Sequence, residues 1–139
     1  MAIKNSIECW IFSREEDAFL LLKCPETERH KEYWQPVTGG IEKNESKHEA
    51  CLREVLEETG VKINNSDIVK LLDKFKVYRE KMELHKTIFV AVLDRASITI
   101  SDEHIDYKWE MPEMVEQMLL WGSNKTTFGI VMSYLKLDR

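Results

Sequence analysis

Arg53-Glu54-x-x-Glu57-Glu58, closing on Gly60, is the stretch of this chain whose residue types and spacing could do chemistry. In a helix, at about 100° per residue, positions 54, 57 and 58 share one face, with neighbouring Cβ atoms about 5–6 Å apart. Carboxylates stacked in this way repel one another unless a positive charge sits among them. Oxygen ligands alone suit hard cations such as Mg²⁺ or Mn²⁺ better than zinc. A Glu-rich run also arises as a plain solvated helix face. Two details count against that reading here. Glu57 and Glu58 fall in the last turn, where the helix dipole favours cations, and three of the five glycines (Gly39, Gly40, Gly60) lie between residues 39 and 61.

The neighbours of the run predict the helix that must position it. Ser46 and Glu49 have the spacing of a capping box, and Gly60 stands where a left-handed residue ends a helix, so the expected span is about residues 47–59. His48, Leu52, Val55, Leu56 and Thr59 form the apolar stripe expected to dock on the core. The glutamates are then expected to face outward.

The string GGIEKNESKHEACLREVLEETGV resembles the Nudix box, G-x5-E-x7-R-E-U-x-E-E-x-G-U with U a bulky aliphatic residue. Gly39, Glu45, Arg53, Glu54, Val55, Glu57, Glu58, Gly60 and Val61 fill all nine specified positions over 23 residues. Such a match is far more specific than a lone glycine-rich motif. Asn44 stands where many Nudix proteins carry glycine; Asn tolerates the left-handed conformation nearly as well. The resemblance implies that Glu54, Glu57, Glu58 and a main-chain carbonyl at the glycine turn, Gly39 or Gly40, hold Mg²⁺ or Mn²⁺. It also implies that Glu45 supports the site and that Arg53 orients the acidic cluster, although an ordinary surface arginine is the alternative reading. Glu57, Arg53 and Glu103 are then the residues expected to carry catalysis. Glu103, in Ser101-Asp102-Glu103-His104, matches a loop where many Nudix enzymes place a further glutamate. It is read equally as a metal ligand or general base and as a solvated loop carboxylate. His104 is read as a structural neighbour.

Length and composition agree with one domain spanning residues 1–139, large enough to bury a core. A formal charge of −5 argues against binding a nucleic-acid polymer but leaves room for a small anionic substrate, since a bound cation reverses the local sign. Cys9, Cys24 and Cys51 are odd in number and form no C-x-x-C, which points to reduced thiols and a cytoplasmic setting. No run approaches the roughly 20 apolar residues of a membrane span, and no basic, then apolar, leader is visible. A homodimer is compatible with this composition.

Around the predicted helix the pattern is mixed. Residues 7–12 alternate as a strand partly covered on both faces, and Ala18–Lys23 is a second strand. Residues 24–33 are expected as a loop leading to Trp34 and the glycine turn. Strands are expected near 68–79 and 86–94, the latter buried on both faces at Ile88–Leu93. A short strand follows at Tyr107–Glu110, then a helix opened by Pro112 and ended by Gly122, and a last helix over about 124–137. The order is that of an α/β protein. The resemblance implies the Nudix α/β/α sandwich with a mixed sheet.

Substrate signals are shorter. Trp34-Gln35-Pro36-Val37-Thr38-Gly39-Gly40 and Trp121-x-x-Asn124-Lys125 look like the Nudix branch that cleaves nucleoside or dihydropterin triphosphates to the monophosphate and pyrophosphate. Tyr78 lies near a position where dinucleoside polyphosphate hydrolases carry tyrosine. A non-catalytic nucleotide sensor is the alternative of another class; loss of box carboxylates would favour it, and none is lost. Trp34, Tyr78 and Arg79 are candidate substrate contacts, with core aromatics as the plainer reading of the first two. The basic stretch Lys70, Lys74, Lys76, Arg79, Lys81 and Lys86 either faces phosphates or charges a strand edge.

Overall fold

A computed structural model describes residues 2–137. Seven strands form one sheet: β1 (Ala2–Ser13), β2 (Ala18–Cys24), β3 (Tyr33–Gln35), β4 (Val37–Gly40), β5 (Ile68–Arg79), β6 (Met82–Leu93) and β7 (Asp106–Glu110). The helices are α1 (Lys47–Thr59), α2 (Pro112–Met118) and α3 (Gly122–Leu135), with one 3₁₀ turn at Asn65–Asp67. The strand order is β3-β2-β1-β6-β5, with β4 also pairing β1 and β7 also pairing β2. β1 and β6 run parallel from Ala2↔Met82 to Ser13↔Leu93, and the other strand pairs are antiparallel. The fold is therefore mixed α/β, as expected.

Alternation along β1 divides the core. Ile7, Cys9 and Ile11 face the α1 side with Ala50, Cys51, Val55 and Phe89. Trp10 and Phe12 face the α2–α3 side with Phe19, Val115, Phe128 and Val131. Side chains of a strand alternate between faces, so one buried strand serves both layers. In β6, Ile88, Phe89, Val90 and Ala91 are each fully buried, as a central strand demands.

Three expectations are corrected. Gly39 and Gly40 do not form a turn; they lie in β4, with Gly39 opposite Ile7 and Gly40 opposite Ser6. Gly122 does not end α2. That helix stops at Leu119, which turns extended and buries itself in the second core, and Gly122 opens α3.

The docked face of α1 is also rotated from the expected one. Ala50, Cys51, Val55 and Thr59 are buried together with Glu54 and Glu58, whereas Leu56 is 47% exposed. The small residues Ala50 and Cys51 and the side-chain-free backbone at Gly39 let this face lie close to the sheet. Two of the three glutamates consequently point inward.

Candidate active site

The ends of α1 are set locally. Ser46 Oγ accepts from the Glu49 amide at 3.0 Å, Glu49 Oε1 accepts from the Ser46 amide at 2.9 Å, and Gly60 caps the other end at φ 74°. Asn44 takes the left-handed conformation at φ 66°. With the helix so fixed, Arg53 becomes the hub of its first half. Nε and Nη2 donate to the two oxygens of Glu45 at 2.7 and 2.9 Å, and Nη2 also donates to the Gly40 carbonyl at 2.8 Å. Nη1 donates to Glu54 at 2.6 Å and to Glu57 at 3.3 Å. A planar guanidinium with five donors is the one side chain able to make this set of bonds. The same guanidinium holds the Glu45 carboxyl below the usual carboxylate range.

Glu54 and Glu58 sit where α1 meets β4. An added Cβ on Gly39 would lie 1.9 Å from Glu54 Oε2, so glycine at this position makes room for the carboxylate. Glu58 is 2% exposed, and its Oε1 has no hydrogen-bond partner among the described residues. Burial, then the adjoining Glu54 carboxylate and more distantly Glu103, push Glu58 up to about 10. His104 is buried beside it, Nε2 3.8 Å from Glu58 Oε1, and burial lowers its pKa. Glu103 is exposed on the loop of residues 101–105, close enough to act electrostatically on Glu58, Cys24 and His104.

These features fit a hard cation. A Glu58 carboxyl buried against Glu54, an unpartnered carboxylate oxygen and an adjoining backbone without a side chain make a place that such an ion fits. Among the described residues no His, Cys, Asp or Glu side chains already stand as a ligand set of three. Arg53 draws Glu54 and Glu57 to itself, and Glu57 remains about half exposed.

On the other side of β4 a cleft of about 310 Å³ opens, lined by Lys4, Ser6, Tyr33, Gln35, Thr38, Gly39, Arg79, Leu84, Lys86, Trp121 and Asn124. Gly39 thus borders both the carboxylates and the cleft. Arg79 reaches this cleft and stacks on Trp121 at 4.5 Å. Trp34 and Tyr78 do not line it. Trp34 carries Lys23 over its ring and packs on the second core, and Tyr78 is 64% exposed on β5. Of the basic stretch, Lys86 is buried in the cleft against Glu8, and Lys70, Lys74, Lys76 and Lys81 lie exposed.

Sequence reasoning missed Lys4, Ser6 and Tyr33, named Asn124 only within a substrate-branch phrase, and read Lys86 only as one of several basic residues. The available signal was the period of two on β1, which places Lys4, Ser6 and Glu8 on the face of Trp10. Polar residues persisting on an apolar face mark a buried polar site. A wider depression of about 590 Å³ lies on the outer flank of α1, along Leu52, Leu56 and Ile63. It gathers none of the carboxylates, although Arg53 touches its rim.

Residues 4–128 match the family model of the NUDIX domain. The nucleoside triphosphatase NudI of Salmonella paratyphi B is 32% identical over 102 residues, covering 68% of this chain and 70% of that protein. The Escherichia coli dihydroneopterin triphosphate pyrophosphohydrolase superposes with a TM-score of 0.72 at 20% identity, covering 99% of this chain and 100% of that one. The NUDIX domain of Shewanella oneidensis NrtR, solved with ADP ribose, gives 0.81 at 18% identity, covering 97% and 90%. At these identities the two structures show the shared fold alone.

Proposed function

Since this chain belongs to the NUDIX family and is a Nudix hydrolase, we propose that it cleaves the pyrophosphate linkage of a nucleoside or dihydropterin triphosphate. The products are the monophosphate and pyrophosphate, and the reaction depends on Mg²⁺ or Mn²⁺. The observation that carries this reading is Glu58, buried, unpartnered at Oε1 and set against Glu54 beside the bare backbone of Gly39. A bound divalent cation supplies charge neutralisation and an activated water.

The chain's own residues do the rest. Glu54, Glu57 and Glu58 hold the cation, and Arg53 keeps Glu54 and Glu57 oriented while tying the helix to Gly40. Glu103, from the neighbouring loop, takes the proton of the attacking water. Lys4 and Arg79 flank the cleft beside Gly39 and meet phosphate oxygens, and Tyr33 and Trp121 offer ring surface to a flat base. NudI is named a nucleoside triphosphatase, and the similarity supports a substrate of that class.

The test is a hydrolysis screen over nucleotide, dinucleotide and pterin polyphosphates, with and without Mg²⁺ or Mn²⁺, identifying products. Metal-dependent release of pyrophosphate supports the reading. Tight metal-independent binding without turnover would establish a sensor instead.

A further inference from the structure

Building on that reading, we infer that the inner end of the cleft recognises the lactam edge of an oxo-base, a ring carbonyl beside a ring N–H. We further infer that buried Glu8 is the positioning residue that holds this edge-reading set in register. Glu8 is fully buried in β1, yet both carboxylate oxygens are engaged. Oε1 accepts from Lys86 Nζ at 2.9 Å and Asn124 Nδ2 at 3.0 Å, and Oε2 accepts from Trp10 Nε1 at 2.9 Å and Thr127 Oγ1 at 2.5 Å. A buried ion pair contributes little net stability against an apolar replacement, so the core alone gives no reason for this arrangement.

What packing leaves unexplained is the side of the network turned to the cleft. Lys86 and Asn124 both line it, and so does Ser6, whose buried Oγ has no partner among the described residues. Ser6 is paired directly with Lys86 in the β1–β6 register, so the two side chains leave the same face of neighbouring strands and both reach the cleft. With Nδ2 given to Glu8, the carbonyl oxygen of Asn124 is the polar atom that this side chain can offer to the cleft. The buried end of the cleft is therefore lined by two donors, Ser6 and Lys86, and one acceptor, Asn124.

A carbonyl oxygen has two lone pairs and can accept from both Ser6 and Lys86, while the neighbouring ring N–H donates to Asn124. Guanine, uracil, thymine and pterins carry that edge. Adenine and cytosine present a ring nitrogen with one lone pair beside an amino group, which leaves one buried donor unpaired. A site built to hydrogen-bond a group discriminates strongly against the analogue lacking it. Glu8 acts through its partners: without its charge, Lys86 is unbalanced and the Asn124 amide is free to flip.

The experiment compares kcat/KM for dUTP against dCTP and for dGTP against dATP with Mg²⁺, alongside metal-free binding of the four deoxynucleoside monophosphates. The oxo member of each pair should be favoured at least 10-fold in both measurements. Glu8→Gln should bring each ratio to within about 3-fold by raising KM for the oxo substrates, with kcat nearly unchanged. Ser6→Ala, which removes one donor and no folding contact, should lower the ratios about 5-fold and serves if Glu8→Gln does not fold. Equal kcat/KM within each pair in the wild type would overturn the inference and leave the hydrolase reading standing. Absence of turnover together with oxo-selective monophosphate binding would support the inference and sink the proposed activity.

Discussion

Substituting Gly39 by alanine separates space from conformation at the site. Gly39 is not in the left-handed region, so alanine meets no backbone penalty there; the nearest obstacle is Glu54. The new methyl would stand 1.9 Å from Glu54 Oε2 and 2.1 Å from its Cδ, whereas real Cβ contacts essentially never fall below 3.0 Å. The carboxylate must therefore retreat by more than about 1 Å, and it is held by a 2.6 Å bond from Arg53. Misplacing a reacting group by about 1 Å costs roughly 10²-fold in rate. We expect Gly39→Ala to lower kcat by about 10²-fold and to weaken Mg²⁺ activation, with an overpacking cost of about 1–3 kcal/mol in metal-free stability. Gly40→Ala is the internal control. Its Cβ would meet the flexible Lys4 Cε at 3.2 Å, and it should stay within about 3-fold of wild type. Steady-state kinetics over a Mg²⁺ titration, with denaturant melts of both variants, provide the readout. Wild-type kcat and metal dependence in a folded Gly39→Ala would refute the placement of Glu54 as a metal ligand.

Other substitutions probe the remaining parts. Glu57→Gln should keep stability within about 0.5 kcal/mol, because the side chain is half exposed, yet cut kcat by about 10²-fold. Glu58 is raised to about 10 in the folded metal-free protein, so its contribution to stability is full below its usual 4.5 and is lost as pH rises towards 10. Melts in chelator from pH 5 to 9 should show that decline, and Glu58→Gln should flatten it while abolishing turnover. Arg53→Lys keeps the charge but not the five-donor fan and should cost about 2 kcal/mol by urea denaturation, with lower kcat. Glu103→Gln should lower kcat with little change in KM, the loss easing at higher pH where hydroxide replaces the missing base; unchanged constants would remove Glu103 from the chemistry.

Features legible in the sequence are those set within a few residues. The Ser46–Glu49 box, the left-handed Asn44 and Gly60, and most of the buried run expected at Ile88–Leu93 follow from local rules; the structure contains the first three, and buries that run fully at residues 88–91 and half at Val92 and Leu93. Which face of α1 docks was not legible, because it depends on Gly39 arriving from β4 to receive Glu54. The cleft was still less so. Lys4 and Ser6, Lys86, and Asn124 come from three distant segments, and only the β1–β6 register and the seat of α3 bring them together. Periodicity did record that Glu8 shares a strand face with Trp10, but it could not supply the donors that make its burial tolerable.

The parallel pairing of β1 with β6 also bears on synthesis. β1 leaves the ribosome before its partner, which lies opposite it by register from Met82 to Leu93 and follows 80 residues later. At about 5–20 residues per second that interval is roughly 4–16 s. During it α1 can wind and β2 and β4 can cover one edge of β1, while the other edge, along Ile7 to Phe12, waits with its amides unpaired. A helix carrying the full acidic motif can thus form before the strand register that builds the cleft. At that stage the chain has synthesised the carboxylates for a cation but not the strand that completes a place for a substrate, and its open strand edge is one that a chaperone is suited to shield.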